Sequence, residues 1–188
     1  MKIVFWTVMI IAGLTAYADS LDTTTPGVVA TPVAVYVEID VDEQHCLAQN
    51  IYFEAGNQSL DGMAAVADVT LNRVKSSRYP DTICEVVKQG LKHSNGAMKR
   101  NMCQFSWYCD GKSDYISRKI VLTKEWWNSY KIAEDILQEF YGMKENKWIG
   151  ITSESTHYHA NYVVPDWIDD AGMSRTKQIG KHIFYKFW

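Results

Sequence analysis

Apolar residues recur at helical spacing through the first two thirds of the chain's body, and this periodicity constrains the fold more than any other feature. The first predicted helix covers residues 43–56, where apolar side chains follow Leu47 at i+1, i+4, i+5 and i+8. Gly56 fits its C-terminal end. Ser59 is typical of a helix N-cap and opens a second predicted helix, whose apolar positions run from residue 63 to 74.

Two further helices and a region of short strands complete the predicted domain. Thr82 and Glu85 form a capping box that opens a short third helix, and residues 123–141 carry one continuous apolar face. Residues 91–115 have no clear period and predict a long loop. Residues 148–188 are rich in Gly, aromatic and β-branched residues, which favour short strands. The predicted fold class is therefore α+β: an α-rich domain with short strands near the C-terminus.

The first 42 residues divide into a predicted signal peptide and a linker. Lys2, an apolar run over residues 3–14 and the small residues of Ala16-Tyr17-Ala18 are typical of a cleaved secretory signal, which assigns residues 1–18 to it. The apolar run is shorter than the roughly 18 residues that a membrane span needs. We expect a secreted or periplasmic protein without a stable membrane anchor after cleavage; an uncleaved anchor is the alternative. Residues 19–42 predict a linker, and residues 43–188 the folded domain.

The net charge of −3 belongs mainly to the N-terminal region. Five of the 22 acidic residues precede residue 43, but only one of the 19 Lys and Arg residues does. The folded body is therefore close to neutral, and it lacks the excess of basic residues that a dedicated nucleic-acid-binding protein carries. We expect no nucleic-acid partner. The seven Trp residues fit either a polymer-binding cleft or a Trp-rich core.

Glu54 is the first candidate for chemistry. It lies at the C-terminal end of the first predicted helix, between Phe53 and Ala55 and close to Tyr52. Apolar neighbours can desolvate a carboxyl group, and the negative end of a helix dipole also disfavours its charged form. Both effects raise the pKa, as a general acid working near neutral pH requires. A solvated surface Glu is the alternative interpretation.

Six blocks of the sequence occur in the order of the motifs of a known family. They include Ile51-Tyr52-Phe53-Glu54-Ala55 and Thr156-His157-Tyr158-His159-Ala160, and together they cover residues 46–55, 62–74, 79–87, 103–111, 156–167 and 179–184. These blocks resemble the cell wall hydrolase family of the SleB/CwlJ type. The resemblance implies a fold similar to lysozyme and lytic transglycosylases, cleavage of the glycan strands of bacterial peptidoglycan, and Glu54 as the catalytic residue.

One position departs from the family's pattern. The family usually continues Glu-Ala-Arg-Gly-Glu, whereas this chain has Glu54-Ala55-Gly56-Asn57-Gln58. Gln58 can form hydrogen bonds but cannot accept a proton as a base. A mechanism that needs a carboxylate at this position is therefore in doubt, whereas one that needs only Glu54 is unaffected.

The chemistry expected from the resemblance needs a single carboxyl group. Lytic transglycosylases use one Glu as acid and then as base, and they leave 1,6-anhydro-MurNAc ends. Ordinary glycosidases use two carboxylates, so a hydrolytic muramidase remains the alternative. The chain offers four candidates for a second carboxylate, none with a distinctive context: Asp61, Asp110, Asp114 and Asp166. A non-catalytic peptidoglycan-binding protein on the same fold is a further alternative.

Two segments supply candidate substrate contacts. In the first, Gln104 and Ser106 can bond to sugar hydroxyl or acetamido groups, and Trp107 can pack on a sugar face. Phe105 joins this set, although Phe105 and Trp107 could equally belong to the core. In the second, the resemblance implies that three residues form cleft walls opposite Glu54: Tyr158, His159 and Asn161.

Three histidines raise the possibility of a zinc site. His157 and His159 have a common metal-ligand spacing, and His182 could supply a third nitrogen. However, no Glu stands beside them at a zincin spacing, and residues i and i+2 share a face in any strand. We expect no metal and no other cofactor, and a structural role for His182.

Four cysteines in an exported chain predict two disulfides. Three pairings are possible among Cys46, Cys84, Cys103 and Cys109, and the sequence leaves them open. Cys103 and Cys109 are close enough in sequence to close one loop. Glycan strands are the expected partner of a monomeric protein.

Overall fold

The computed structural model describes residues 36–143 and 148–188. The predicted signal peptide and residues 19–35 of the predicted linker lie outside these ranges. Five helices and five strands follow in chain order: α1 (Val41–Ala55), α2 (Leu60–Lys75), α3 (Ile83–Val87), β1 (Gly90–Lys92), β2 (Met98–Cys103), α4 (Arg118–Val121), α5 (Lys124–Gly142), β3 (His157–Ala160), β4 (Met173–Ile179) and β5 (His182–Phe187). The described ranges also include two 3-10 helices, Ser106–Cys109 and Asp166–Asp169. Within the described ranges, no helix is both long and apolar enough to cross a membrane.

The starts of α2 and α3 follow their predicted caps. Ser59 accepts from the backbone N–H of Gly62 at the start of α2, and Thr123 caps α5 in the same way. At α3, Thr82 Oγ1 accepts from the N–H of Glu85 as predicted. In addition, the first two N–H groups of α3 donate to the carboxylate of Glu43 on α1. A helix start that the sequence assigns to a local capping box is therefore also stabilised by a neighbouring helix.

The last residues of the predicted linker are part of the folded unit. The backbone of Val37 forms two hydrogen bonds with the side chain of Gln138 on α5, at 2.9 and 2.7 Å. Asp40 caps α1 through bonds from the N–H groups of Asp42 and Glu43. Helix α1 therefore begins at Val41, two residues before its predicted start.

Helices α1, α2 and α5 enclose the main core. Their inward faces contribute side chains with no exposed surface, such as Leu47, Ile51, Leu71 and Leu137. Three of the Trp residues, Trp107, Trp126 and Trp148, are buried in the same core. Much of the Trp content therefore serves packing.

The region predicted as a long loop contains a β-hairpin. Strands β1 and β2 pair antiparallel, with Gly90 opposite Cys103. The prediction for residues 91–115 was wrong here because both strands are largely exposed, so the sequence shows no alternation of apolar and polar residues. Gly90 is required by close approach, because a Cβ there would lie 2.7 Å from Cys103 Sγ.

The predicted C-terminal strands form one antiparallel sheet in the order β3-β5-β4. Phe184 of β5 is fully buried against Ala65 and Val69 of α2. The register pairs Tyr158 with Phe184 and His159 with Ile183. Side chains alternate between the two faces of a strand, so Tyr158 lies on the helix-facing side and His159 on the other.

Two groups of contacts tie these layers together. The two expected disulfides are present: Cys46–Cys84 joins α1 to α3, and Cys103–Cys109 joins the hairpin to the following 3-10 helix. Asp68 on α2 accepts hydrogen bonds from Trp148 Nε1 and from the N–H and hydroxyl of Thr152. These bonds hold the segment before β3 against α2, and so fix where β3 begins.

Candidate active site

Glu54 lies in the last turn of α1, where the helix meets the C-terminal sheet. It is half-buried, and it is the residue common to the lining of three cavities. We name each cavity after one lining residue: the Gln58 cavity of about 420 Å³, the Trp107 cavity of about 310 Å³ and the Arg73 cavity of about 400 Å³. An extended ligand can therefore approach this carboxyl group from more than one side.

Tyr158 is the direct partner of Glu54. Its hydroxyl donates a 2.9 Å hydrogen bond to Glu54 Oε2 across 104 residues of sequence. The Tyr158 ring packs on His182 and Phe184 of β5, with ring centroids 4.7 and 5.6 Å apart. Sheet packing thus fixes the donor that orients the carboxyl group.

The surroundings of Glu54 favour its protonated form. Burial raises the pKa of Glu54, and this effect exceeds the opposing effects of the Tyr158 hydrogen bond and the positive charge of Arg73. Burial, helped by the negative charge of Glu54, also raises the pKa of Tyr158 well above 10, so its hydroxyl remains a donor. The pair can supply a proton and then stabilise the resulting carboxylate, as general acid catalysis requires.

Arg73 is a site residue that the sequence reasoning missed. It lies on α2, is 4% exposed and lines the Arg73 cavity with Glu54 and Tyr158. Its Nε donates a 2.8 Å hydrogen bond to Thr156 O, just before β3. The only signal in the sequence is a charged residue between the apolar residues Leu71 and Val74 of a buried helix.

The first predicted contact segment divides between the cleft and the core. Gln104 and Ser106 are exposed and line the Arg73 cavity with Glu54. The prediction that Phe105 contacts substrate is wrong, because its side chain is 1% exposed and packs in the main core. Trp107 is 8% exposed, stacks on Phe53 and donates from Nε1 to Asn50 Oδ1, yet it still lines the Trp107 cavity.

The second predicted segment also divides. Tyr158 and His159 both line the Arg73 cavity, and His159 stacks on Tyr185, with Nε2 3.1 Å from the Tyr185 hydroxyl. Asn161 is exposed just beyond β3 and lines none of the three cavities, whereas its neighbours Ala160 and Tyr162 line two of them. Because the chain turns after β3, the residue beside the cavities is Tyr162 and not Asn161.

The histidines do not converge on one point. His157 and His159 lie on one face of β3, and His182, which pairs with Ala160, lies on the opposite face. Among residues 36–143 and 148–188, no group of three or more His, Cys, Asp or Glu residues could hold a metal ion. The sheet register therefore separates His182 from the other two histidines that the zinc hypothesis needs.

Two of the four candidate second carboxylates reach the site. Asp110 and Asp114 line the Trp107 cavity with Glu54. Hydrogen bonds from the backbone and side chain of Lys112 lower the pKa of Asp110, whereas burial raises the pKa of Asp114. Asp61 and Asp166 are exposed in the first turns of α2 and a 3-10 helix, and neither lines the three cavities.

Gln58 is held by the C-terminal sheet. Its Oε1 accepts from the backbone N–H of Lys181 at 3.2 Å, and its Nε2 lies 3.3 Å from both ring nitrogens of His182. Burial lowers the pKa of His182 to about 4, so the neutral ring offers an unprotonated nitrogen as acceptor. Gln58 therefore links the end of α1 to the β4–β5 turn. His182 forms the hydrogen-bonding contact that the sequence predicts, and it also lines the Gln58 and Arg73 cavities.

Comparisons with known proteins agree with this architecture. A family model described as Cell Wall Hydrolase matches residues 57–185 and begins just after Glu54. The catalytic domain of the germination-specific lytic transglycosylase SleB from Bacillus anthracis is 24% identical, with a TM-score of 0.53, over 81% of this chain and 100% of that one. The SleB catalytic domain from Bacillus cereus is also 24% identical, with a TM-score of 0.52, over 84% and 99%. Both confirm the predicted fold class. No curated protein matches the chain.

Proposed function

The chain belongs to the cell wall hydrolase family, and from this premise we propose that it cleaves the β-1,4 bond between MurNAc and GlcNAc in bacterial peptidoglycan. Glu54 acts as the single general acid and base. The observation that carries the proposal is the position of Glu54: its desolvated carboxyl group is hydrogen-bonded to Tyr158 and common to three cavities.

In the first step, protonated Glu54 gives its proton to the glycosidic oxygen. The bond between this oxygen and C1 of MurNAc breaks, and GlcNAc leaves with a free 4-hydroxyl. The N-acetyl group of MurNAc stabilises the positive charge at C1 from within the substrate. Tyr158 donates to the carboxylate that Glu54 becomes, which lowers the energy of the charge that develops there.

In the second step, ionised Glu54 removes the proton of the C6 hydroxyl of the same MurNAc. The C6 oxygen then bonds to C1 and closes the 1,6-anhydro ring, and Glu54 returns to its protonated form. No water is consumed. The SleB domain from Bacillus anthracis is described as a lytic transglycosylase, and we propose the same reaction class for this chain.

The position of Gln58 supports a mechanism with one carboxylate. The side chain that stands where the family usually has a Glu is an amide, bonded to Lys181 N and placed against His182. It cannot take up a proton from a water or a hydroxyl group. The chemistry therefore falls to Glu54 alone at this end of α1.

A hydrolytic muramidase is the second candidate, and one observation favours it. Asp114 lines the Trp107 cavity with Glu54, and burial raises its pKa. Inverting glycosidases place a second carboxylate about 6.5–9.5 Å from the acid, with a water between them. In that case Asp114 activates the water, and the product has reducing MurNAc ends.

We propose that the enzyme works outside the cytoplasmic membrane as a monomer on glycan strands. The two disulfides fit an oxidising compartment, and residues 1–18 carry the pattern of a signal peptide. N-terminal sequencing of the exported protein tests this point: a start at Asp19 supports cleavage, and a retained Met1 contradicts it.

The decisive experiment compares Glu54→Gln with the wild type on purified sacculi. We expect the variant to lose at least about 100-fold in the rate of glycan cleavage, because it keeps the shape of Glu54 without its proton. Glu134→Gln is the matched control, because Glu134 lies on α5 outside the three cavities and pairs with Lys131. Undiminished cleavage by Glu54→Gln would refute the proposed mechanism.

The products separate the remaining alternatives. Mass spectrometry of the digest shows anhydro-MurNAc ends for transglycosylation and reducing MurNAc ends for hydrolysis. If the products are reducing, Asp114→Asn should abolish them. If neither wild type nor variant cleaves but both sediment with sacculi, the chain is a peptidoglycan-binding protein and the catalytic proposal fails.

A further inference from the structure

Arg73 carries a buried positive charge with no carboxylate bound to it. Its side chain is 4% exposed, and a buried Arg is normally paired with an acid. In the described part of the chain, no ion pair involves Arg73, and its Nη1 has no hydrogen-bond partner. An unpaired buried charge is costly, so its position calls for a reason other than stability.

The guanidinium group is held in one place. Nε donates to Thr156 O at 2.8 Å. The guanidinium carbon lies 4.7 Å from the centroid of the Phe105 ring and 5.4 Å from that of Tyr79. Such aromatic contacts stabilise a cation without neutralising it. The charge therefore remains available to act on other groups nearby.

The group that this charge faces is the catalytic pair. Arg73, Glu54 and Tyr158 line the same cavity. Thr156, which Arg73 holds, lies two residues before Tyr158 on the segment that leads into β3. Arg73 is thus connected to Glu54 through the backbone that carries Tyr158, and through space across the cavity.

We propose that Arg73 is a positioning residue that serves as the counter-charge for Glu54: it stabilises the carboxylate left when Glu54 gives up its proton, and it fixes the strand that carries Tyr158. This inference rests on the proposed role of Glu54 as the general acid. The carboxylate that Glu54 becomes on giving up its proton is the negative charge across the cavity from Arg73.

Electrostatics agree with this arrangement. The positive charge of Arg73 already lowers the pKa of Glu54, although burial outweighs it. His159 and His182 also line the Arg73 cavity, and the pKa of His182 is about 4, so it is neutral at pH 7. The other charged groups around Glu54 lie toward the two remaining cavities: Glu125, Lys181, Asp110, Lys112 and Asp114. Among these groups, Arg73 is the buried cation.

The test replaces Arg73 in three ways. Arg73→Met and Arg73→Gln remove the charge and keep much of the volume, whereas Arg73→Lys keeps the charge. Arg78→Met is the matched control, because Arg78 also packs on an aromatic ring, that of Phe187, but is exposed and outside the three cavities. The melting temperature identifies any variant that fails to fold. If one of the two charge-removing variants fails to fold, the other still provides the test.

Two readouts are taken on each folded variant. The first is kcat and KM for glycan cleavage as a function of pH. The second is the carboxyl pKa of Glu54 in the free enzyme, measured by NMR on protein labelled with 13C at Glu side chains and assigned by comparison with Glu54→Gln. Glu54 must be protonated to act as an acid, so activity is lost as the pH rises through its pKa.

Loss of the positive charge raises the pKa of Glu54. We expect Arg73→Met and Arg73→Gln to move the alkaline limb of the pH–rate profile and the NMR titration of Glu54 upward by about one pH unit. With the proton half transferred in the transition state, kcat should fall about threefold, with KM nearly unchanged. Arg73→Lys should stay close to the wild-type limb. Unmoved titration in the Met and Gln variants, or equal shifts in all three variants, would overturn the inference. Should Glu54→Gln remain active, the proposed function fails, but the NMR titration still decides whether Arg73 acts on Glu54.

Discussion

Replacing Tyr158 with Phe removes one hydrogen bond and leaves the ring that packs on His182 and Phe184. The lost bond is the 2.9 Å contact to Glu54 Oε2, which stabilises the ionised carboxylate. A hydrogen bond to a charged group contributes about 1.5–3 kcal/mol, and one pKa unit corresponds to about 1.4 kcal/mol. The pKa of Glu54 should therefore rise by about one to two units.

The same free energy sets the expected effect on the rate. If the proton is half transferred in the transition state, about half of this stabilisation is lost there, which slows cleavage about 4- to 13-fold. Because Glu54 is active when protonated, a higher pKa moves the alkaline limb of the kcat/KM profile upward by the same one to two pH units. Tyr158→Phe thus becomes slower at its optimum and active to a higher pH.

The assay follows the release of soluble glycan from sacculi between pH 4 and pH 10. The sacculi are kept dilute enough that the initial rate is proportional to kcat/KM. Tyr141→Phe is the matched control, since Tyr141 lies at the end of α5 and lines none of the three cavities. Its profile should overlay that of the wild type. If the alkaline limb of Tyr158→Phe stays where the wild-type limb is, Tyr158 does not act on Glu54 and the reasoning is refuted.

Four other outcomes follow from the structure. Replacing both cysteines of the Cys46–Cys84 disulfide by Ser should lower the free energy of unfolding by about 4 kcal/mol, and the same change in the Cys103–Cys109 disulfide by about 2 kcal/mol. The difference arises because the two disulfides close loops of 38 and 6 residues. Equal losses in denaturant titrations would contradict this. Asp68→Ala leaves three buried donors without an acceptor and should lower the free energy of unfolding by about 3 kcal/mol in the same titrations. A change below about 1 kcal/mol would show that these hydrogen bonds contribute little to stability. Gln58→Glu places a carboxylate beside His182 and should raise the pKa of this ring above its value of about 4. NMR titration of His182 measures this pKa. An unchanged pKa would mean that the new carboxylate side chain does not lie against His182. EDTA should leave the rate of cleavage unchanged, because His182 lies on the opposite face of the sheet from His157 and His159. A loss of activity that zinc restores would revive the metal hypothesis.

Local signals in the sequence were sufficient for four of the five helices, and α4 was not predicted. Ser59, Thr82 and Thr123 each accept a hydrogen bond from an N–H group of the first helical turn, as residues of this type do at helix starts. The apolar periodicity that follows each cap identifies the buried face, since a helix in a small domain has to cover one stripe. The position of Glu54 at the end of α1 could be predicted for the same reason.

The hairpin and the site walls could not be predicted in this way. Strands β1 and β2 are exposed on both faces, so no alternation marks them. Phe105 and Trp107 point into the core while Gln104 and Ser106 point outward, which is visible only when the direction of the segment relative to α1 is known. Asn161 and Tyr162 are adjacent, and the turn after β3 decides which of them lines a cavity.

The sequence by itself determined the family, the capped helices and the acidic residue at the end of α1, because each depends on residues close together in the chain. Only the tertiary structure decided what acts on that acid. Tyr158 reaches Glu54 across 104 residues, and Arg73 faces it from another helix. Burial, hydrogen bonding and charge all act through space, so the pKa of Glu54 is a property of the folded site and cannot be assigned from its neighbours in sequence.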